Sequence, residues 1–366
     1  MIRVDSLIKI LNNNKCNFYT GVPDSILKEL SIYLRPKKKQ SHVVAVNEGA
    51  AVSIAIGNYL ATKKIPCIYM QNSGLSNALN PLISIANKKV YSIPLVLLIG
   101  WRGSPNIKDE PQHMVKGKIT LDLLKLLGIK YTILRKENDL IKFKKNIVSA
   151  KKNKTIIAGL IEKGTLKKNT KFIIKKDFYS LKKDLFLKTF FELVNKDTKI
   201  ISSTGYNSRE IYYLKKKFNL NKIENFYMVG GMGHTSSVAL GYSLFSKKKT
   251  VCIDGDGSLL MHLGSIKTIG TFANKNLKFV LLNNNSHDSV GGQSTYANKV
   301  DFEKLSKSLG FKKYYCVKSE KSLVKIIKNF LKNKSLSFLE VKVSNNKIKK
   351  LPRPSNLIQI KNNFMK

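Results

Sequence analysis

Asp254-Gly255-Asp256-Gly257-Ser258 follows the apolar run 250–253, and Asn283-Asn284-Asn285 closes the next apolar run, 277–282. Twenty-eight residues separate Asp256 from Asn284, which is room for a helix that carries the chain back between two parallel strands. Both polar ends then meet at the carboxyl edge of one parallel sheet, where open α/β folds bind ligands. A carboxylate oxygen, an amide oxygen and backbone carbonyls at that edge form a hard-oxygen site for a small divalent cation. The glycines let backbone N–H groups approach phosphate oxygens, and the helix N-terminus that follows favours negative charge. Gly-Asp-Gly alone is only a turn. With asparagines at this distance, each motif at the end of a strand-like run, the pair reads as a metal set against a diphosphate.

The same alternation extends both ways. Strand-like runs at 17–20, 42–46, 65–70, 94–99, 130–134 and 154–160 are interleaved with helical stretches at 25–34, 50–62 and 75–87. A second series runs through 199–203, 225–228, 250–253, 277–282, 312–317 and 336–343, with a helix at 236–245. The expectation is α/β with two units of similar size, each a parallel sheet flanked by helices. The first unit spans 1–165 and the second 183–366, joined by a lysine-rich linker, 166–182, whose one apolar run is Phe172-Ile173-Ile174. Beyond Leu351 periodicity fades, and the tail is expected to pack as an arm or fray.

The formal net charge is +43 over 366 residues, yet only six of the 66 basic residues are arginine. Base reading leans on arginine, and no zinc-finger, helix-turn-helix or aromatic RNA-binding pattern is present. The lysines, spread along the chain in pairs and triples, read as a solvated surface that draws anions inward, with no nucleic-acid partner. No 18-residue uncharged apolar run exists, so no membrane span is expected. The start of the chain lacks a signal-peptide layout. Cys16, Cys67, Cys252 and Cys316 lie far apart and match no metal-ligand spacing, as expected of buried thiols in a reducing cytoplasm.

Three further segments carry chemistry. Glu48, in Val46-Asn47-Glu48-Gly49-Ala50-Ala51, opens a helix rich in small and apolar residues; a carboxylate there must be paired or used. Ser203-Thr204-Gly205 ends a strand and offers hydroxyl and amide donors, and Gly230-Gly231-Met232-Gly233-His234 is a turn before a helix.

Together these residues resemble the cofactor signature of thiamine-diphosphate enzymes. Gly21-Val22-Pro23-Asp24-Ser25, Met70-Gln71-Asn72-Ser73-Gly74-Leu75, Trp101-Arg102-Gly103, Asp109-Glu110-Pro111-Gln112-His113 and His287-Asp288-Ser289-Val290-Gly291-Gly292-Gln293 narrow the resemblance. It points to the phosphonopyruvate decarboxylases, with sulfopyruvate decarboxylases similar as well, and runs from about residue 15 to residue 345. It implies a pyrimidine-binding first domain, a diphosphate-binding second domain and no middle domain. Glu48 would hydrogen-bond N1′ of the aminopyrimidine, so that the 4′-amino group, as its imino tautomer, takes the C2 proton of the thiazolium. Gly230 would offer a carbonyl to the 4′-amino group, and Met232 would prop the cofactor in its bent shape. Thr204, Gly205, Gly255, Gly257 and Ser258 would meet the diphosphate. Asp256, Asn284 and the carbonyl of Ser286 would hold Mg²⁺.

The chain departs from the family where Asn-Asn-Gly-Ala-His stands against Asn284-Asn285-Ser286-His287 after Asn283, and where Gly-Gly-Gln-Pro-Thr becomes Gly291-Gly292-Gln293-Ser294-Thr295. Neither change removes a functional group. The resemblance implies decarboxylation of 3-phosphonopyruvate to phosphonoacetaldehyde, with sulfopyruvate as the rival substrate. The sulfopyruvate enzyme resembles this chain split into two subunits, so one continuous chain favours phosphonopyruvate. On the substrate side, Arg102 suits bidentate capture of oxyanions, with Ser25 and Ser73 as hydroxyl donors. Asp24 and His113, expected on loops at strand ends, and His287 are the candidates to protonate carbon after carbon dioxide leaves. A homo-oligomer, at least a dimer, with the site at the subunit interface is also implied.

Overall fold

The computed structural model describes residues 1–105, 107–167, 177–220, 223–345, 348 and 350–366. The chain divides into two compact units, Met1–Ile174 and Lys175–Lys366. The run Phe172-Ile173-Ile174 of the expected linker lies outside the described residues. Of its flanks, Leu166 is buried and bridges to Ile2 in the first unit, and Leu181 is buried in the core of the second.

Among the described residues, the first unit holds β1 (Tyr19–Gly21), β2 (His42–Val44), β3 (Cys67–Gln71), β4 (Leu95–Gly100), β5 (Lys130–Leu134) and β6 (Ile156–Ile161), all parallel in the order β2-β1-β3-β4-β6-β5. The central strand β4, Leu-Val-Leu-Leu-Ile-Gly, is buried at every position, as a parallel strand covered on both faces must be. Its alternate residues feed two cores. Val96 and Leu98 pack with the helices Val4–Asn13 and Asp139–Asn153, whereas Leu95, Leu97 and Ile99 pack with Glu48–Thr62, Leu75–Pro81 and Pro111–Leu126.

The second unit holds β7 (Lys199–Ser202), β8 (Asn225–Tyr227), β9 (Thr250–Gly255), β10 (Leu277–Asn283), β11 (Lys313–Val317) and β12 (Ser337–Lys342), parallel in the order β11-β12-β10-β9-β7-β8. Val280 and Leu282 of β10 face the helices Lys183–Leu193, Tyr206–Lys217 and Leu323–Lys332. Leu277, Phe279 and Leu281 face Thr235–Phe245, Gly264–Phe272 and Phe302–Ser308. Each such fully buried aliphatic or aromatic side chain contributes about 1.5–3 kcal/mol. Among the described residues, no helix is long and apolar enough to cross a membrane.

Every strand-like run of the sequence is a strand, displaced by a residue or two at its ends. Two helix spans differ from expectation, and of the two alternatives for the tail from Leu351 it packs rather than frays, ending in the helix Leu357–Met365. Asn356 caps it by accepting from the Gln359 N–H, and Phe364 buries itself against Phe226 and Tyr242. The helix expected at 25–34 begins at Lys28, because Asp24 Oδ2 captures the N–H groups of Ile26 and Leu27 (3.0 and 3.1 Å) and holds a turn there. The stretch 75–87 is an α-helix only over Leu75–Pro81 and continues as a π-turn over Leu82–Ala86.

Candidate active site

In each sheet the strand order reverses between the first strand and the third, and at such a switch point the loops beyond the strand ends splay apart to leave a crevice. The polar residues singled out by the sequence cluster there.

In the first unit Glu48 is the first residue of the helix Glu48–Thr62, just past β2, and is only 6% exposed. Asn47 caps the helix by accepting from the Ala50 N–H at 2.8 Å. Asn77 Nδ2 donates to Glu48 Oε2 at 2.9 Å. The backbone at residue 74 passes so close that a Cβ there would sit 2.3 Å from Glu48 Oε1, so glycine is required for this carboxylate to occupy its place.

Beyond β1 and β3, a chain of side chains spans the switch point. Ser73 Oγ donates to Gln71 Oε1 at 2.9 Å, and Gln71 Nε2 donates to Asp24 Oδ1 at 2.5 Å. Asp24 is 1% exposed, and burial pushes its carboxyl above the usual range despite the donors from Gln71, Leu27 and Ile26. Past β4, Asn72 holds the backbone of Arg102 at both ends, donating to its carbonyl (2.9 Å) and accepting from its N–H (3.2 Å).

The Arg102 guanidinium does not present an open fork. Its Nε donates to Asp109 Oδ2 at 2.6 Å and its Nη2 to Asp109 Oδ1, leaving Nη1 to reach Ser25 Oγ at 3.2 Å. The expected bidentate edge is therefore taken by Asp109. Burial alone would raise the Asp109 carboxyl, but the Arg102 hydrogen bonds and charge hold it below its usual range. His113 is also corrected: it lies not on a loop but in the first turn of the helix Pro111–Leu126. Its Nδ1 is buried without a partner. Burial first, and then the charge of Arg102, lower its pKa to about 4, so the imidazole is neutral at pH 7.

The second unit is built differently. Thr204, Gly205, Met232, Asp256, Ser286 and His287 line one cavity, which Gly255, Gly257, Ser258 and Asn284 also border. Gly230, in the turn after β8, is not among its lining residues. Asp256 opens the helix Asp256–Met261 directly after β9 and is 3% exposed. Its Oδ2 accepts from Thr295 Oγ1 at 2.6 Å. Burial pushes both Asp254 and Asp256 up to about 6. Asn284 Oδ1 accepts from the Ser286 N–H at 3.2 Å, folding this turn beside Asp256, and Ser286 Oγ is buried without a partner. The His287 ring lies over Gly257, where a Cβ would come within 2.9 Å of Nδ1. Lys183 also lines the cavity and pairs with Glu210 at 2.7 Å; the two side chains are 4% and 2% exposed.

The residues fit a cation held against a diphosphate. A buried carboxyl with a raised pKa is one that a cation at its side would relieve, and the neighbouring donor set is all oxygen. Asn77, Gln71, Asn72, Asp109, Thr295, Lys183 and Glu210 were assigned no role from sequence. Most of their partners lie between 7 and 48 residues away in the chain; Gln71, Asn72, Asp109 and Thr295 fall inside motifs, whereas Asn77, Lys183 and Glu210 left no local signal.

Residues 3–126 match the family described as "Thiamine pyrophosphate enzyme, N-terminal TPP binding domain", and residues 204–341 match its C-terminal TPP binding domain counterpart. The two sheets and their loops are thus those of a thiamine-diphosphate enzyme. The chain is 31% identical over 329 residues to a phosphonopyruvate decarboxylase of Streptomyces viridochromogenes, covering 85% of this chain and 81% of that protein. It is 28% identical over 372 residues to one from Streptomyces hygroscopicus, covering 97% and 90%. The chain belongs to the phosphonopyruvate decarboxylase family, and is an enzyme of the carboxy-lyase type acting on 2-oxo acids. A sulfopyruvate decarboxylase of Methanosarcina acetivorans is 28% identical over 361 residues, covering 92% of this chain and 90% of that one. That match runs through both halves in one polypeptide, so chain continuity does not favour phosphonopyruvate over sulfopyruvate.

Proposed function

We propose that the chain decarboxylates 3-phosphonopyruvate to phosphonoacetaldehyde and carbon dioxide, using thiamine diphosphate and Mg²⁺. One observation carries the reading: a chain similar to phosphonopyruvate decarboxylases through both halves also buries a carboxyl group at the carboxyl edge of each sheet, Glu48 in one and Asp256 in the other. Residues 1–165 would take the pyrimidine and residues 183–366 the diphosphate. Asp256, Asn284 and the Ser286 carbonyl would hold Mg²⁺, with Thr204, Gly205, Gly255, Gly257 and Ser258 donating to phosphate oxygens. Gly230 and Met232 would fix the pyrimidine. When bound, thiamine diphosphate supplies an electron sink for the pair released as carbon dioxide departs.

The protein's own groups do the rest. Glu48, steadied by Asn77, would be the group to share a proton with pyrimidine N1′. Ser25, Ser73 and the Nη1 edge of Arg102 meet the anionic end of the substrate. Of the three candidate proton donors, Asp24 has its pKa raised by burial, which favours the protonated form a donor needs, whereas His113 is neutral at pH 7. His287 lies in the second unit, against Gly257.

A homo-oligomer with the site at the subunit interface goes with this reading. Two helices beside the site residues carry apolar side chains outward: Ile54 and Leu60 on Glu48–Thr62, and Val238, Leu244 and Phe245, the last 93% exposed, on Thr235–Phe245. Sulfopyruvate is the second reading. It is favoured by the Methanosarcina acetivorans match and by Asp109, which leaves Arg102 one free edge, enough for a singly charged sulfonate. The test is aldehyde release from phosphonopyruvate, sulfopyruvate and pyruvate, each with and without thiamine diphosphate plus Mg²⁺. Cofactor-dependent turnover strongest on phosphonopyruvate is expected. Stronger turnover on another acid discards the substrate, and no cofactor-dependent turnover discards the mechanism.

A further inference from the structure

Glu340 on β12 is 3% exposed and sits on the sheet face lined by Phe279, Leu281 and Phe338. A carboxyl group on such a face is costly unless its oxygens are occupied. Both are: Asn283 Nδ2 donates to Oε1 at 2.7 Å and the Tyr314 hydroxyl donates to Oε2. The first bond dictates the second half of the Asn283 amide. With its NH₂ committed to Glu340, its Oδ1 turns to the backbone N–H of Asn285, at 3.1 Å, and only this orientation of the amide satisfies both neighbours.

Asn285 is in the left-handed region (φ +54°), and its own Oδ1 accepts from the Asn298 N–H (3.3 Å) and Ser294 Oγ (3.4 Å). The next residue, Thr295, reaches Asp256. One connected series of hydrogen bonds and short chain segments thus runs from Glu340 through Asn283 and Asn285 to Asp256, and the turn that carries Asn284 and Ser286 lies within it.

We infer that Glu340 is a positioning residue which, acting through Asn283, holds the 284–286 turn in the shape the divalent-cation site requires. The inference rests on the proposed metal role of Asp256, Asn284 and Ser286. Without an acceptor at position 340 the Asn283 amide can rotate and set its NH₂ against the Asn285 N–H, which releases the turn. Outer partners of this kind change metal affinity by about 10–100-fold when removed.

The test is Mn²⁺ affinity of the full-length protein by electron paramagnetic resonance, with thiamine diphosphate present and absent. Wild-type protein that shows no thiamine-diphosphate-dependent Mn²⁺ binding overturns the metal reading itself, whatever the variants do. Given such binding, Glu340→Leu and Asn283→Ala are each expected to weaken it by about 10–100-fold, and the double variant no more than either single one. Glu340→Gln, which keeps an acceptor for Asn283, and Tyr314→Phe, which leaves that bond intact, are expected to stay within about threefold of wild type. Wild-type affinity in Glu340→Leu overturns the inference, as it does in Asn283→Ala should the leucine variant not fold. A loss in Tyr314→Phe as large as in Glu340→Leu overturns it too, because general loosening of the core would then explain both.

Discussion

The two sheets are the same sheet twice. Read from its other edge, the second unit runs β8-β7-β9-β10-β12-β11, which matches β2-β1-β3-β4-β6-β5 strand for strand. The loops at equivalent places nevertheless share almost no chemistry. After the first strand come Asp24 and Ser25 in one unit, and Ser203, Thr204 and Gly205 in the other. After the third come Gln71, Asn72 and Ser73 against Gly255, Asp256 and Gly257; after the fourth, Arg102 against Asn284 and Ser286. Both units bury carboxyls and join side chains, but the first sets an arginine, a glutamine and serines at these strand ends, and the second sets glycines and short amides around Asp256. Topology fixes where a ligand can lie, and loop composition decides what kind; under the proposed function that would be a charged substrate and a ring in one unit, and a diphosphate and a cation in the other.

If that division holds, removing the first unit's carboxyl should abolish chemistry while sparing cofactor uptake. Glu48→Gln keeps the Asn77 contact and the volume but cannot share the proton. The expected outcome is a kcat lower by about 10²–10⁴-fold, with thiamine diphosphate affinity by calorimetry changed far less. Retained turnover would sink the assigned role.

The second unit should answer in the opposite sense. Asp256 has a folded pKa of about 6 against a usual value of 3.8. Its folded pKa lies above its unfolded one, so burial costs nothing below about pH 4, costs progressively more up to pH 6 and is fully felt above that. A shift of this size corresponds to about 2–3 kcal/mol. Asp256→Asn is therefore expected to raise the stability of the cofactor-free protein at pH 7.5 while abolishing the rise in Tm caused by Mg²⁺ plus thiamine diphosphate. A variant that lost stability and still responded to Mg²⁺ would erase the contrast between the units.

How much of this was legible depended on whether the signal was local. Strands such as Leu95–Gly100 and Leu277–Asn283 are apolar runs, the second broken only by Lys278, closed by glycine or asparagine, so periodicity and punctuation located them. Glu48 and Asp256 stood out because a carboxylate beside small or apolar residues is conspicuous in one dimension. The partners that define their function were not. Asn77 lies 29 residues from Glu48, and Thr295 lies 39 from Asp256; both are ordinary polar residues until folding brings them in. Arg102 was misread for a related reason: a guanidinium suits an external anion, but Asp109 is seven residues away and loop closure over so short a span is easy. Packing of the tail beyond Leu351 was one of two expected outcomes, but its helix has one buried anchor, Phe364, too few to register as a period.

The finest difference between the units is tested by the smallest change. Ser25 is exposed, and its Oγ receives Arg102 Nη1, the edge that Asp109 leaves free. If this pair meets the anionic end of the substrate, Ser25→Ala removes one hydrogen bond to a charged group, worth about 1.5–3 kcal/mol. KM for the preferred anionic substrate should rise by about ten- to a hundredfold with kcat nearly unchanged, the signature of lost uniform binding. Pyruvate, which lacks the second anionic group, provides the control: its KM should not move. An equal rise for both would mean that Ser25 supports the loop rather than the substrate. The first unit would then recognise its ligand, as the second is argued to do, chiefly through its backbone.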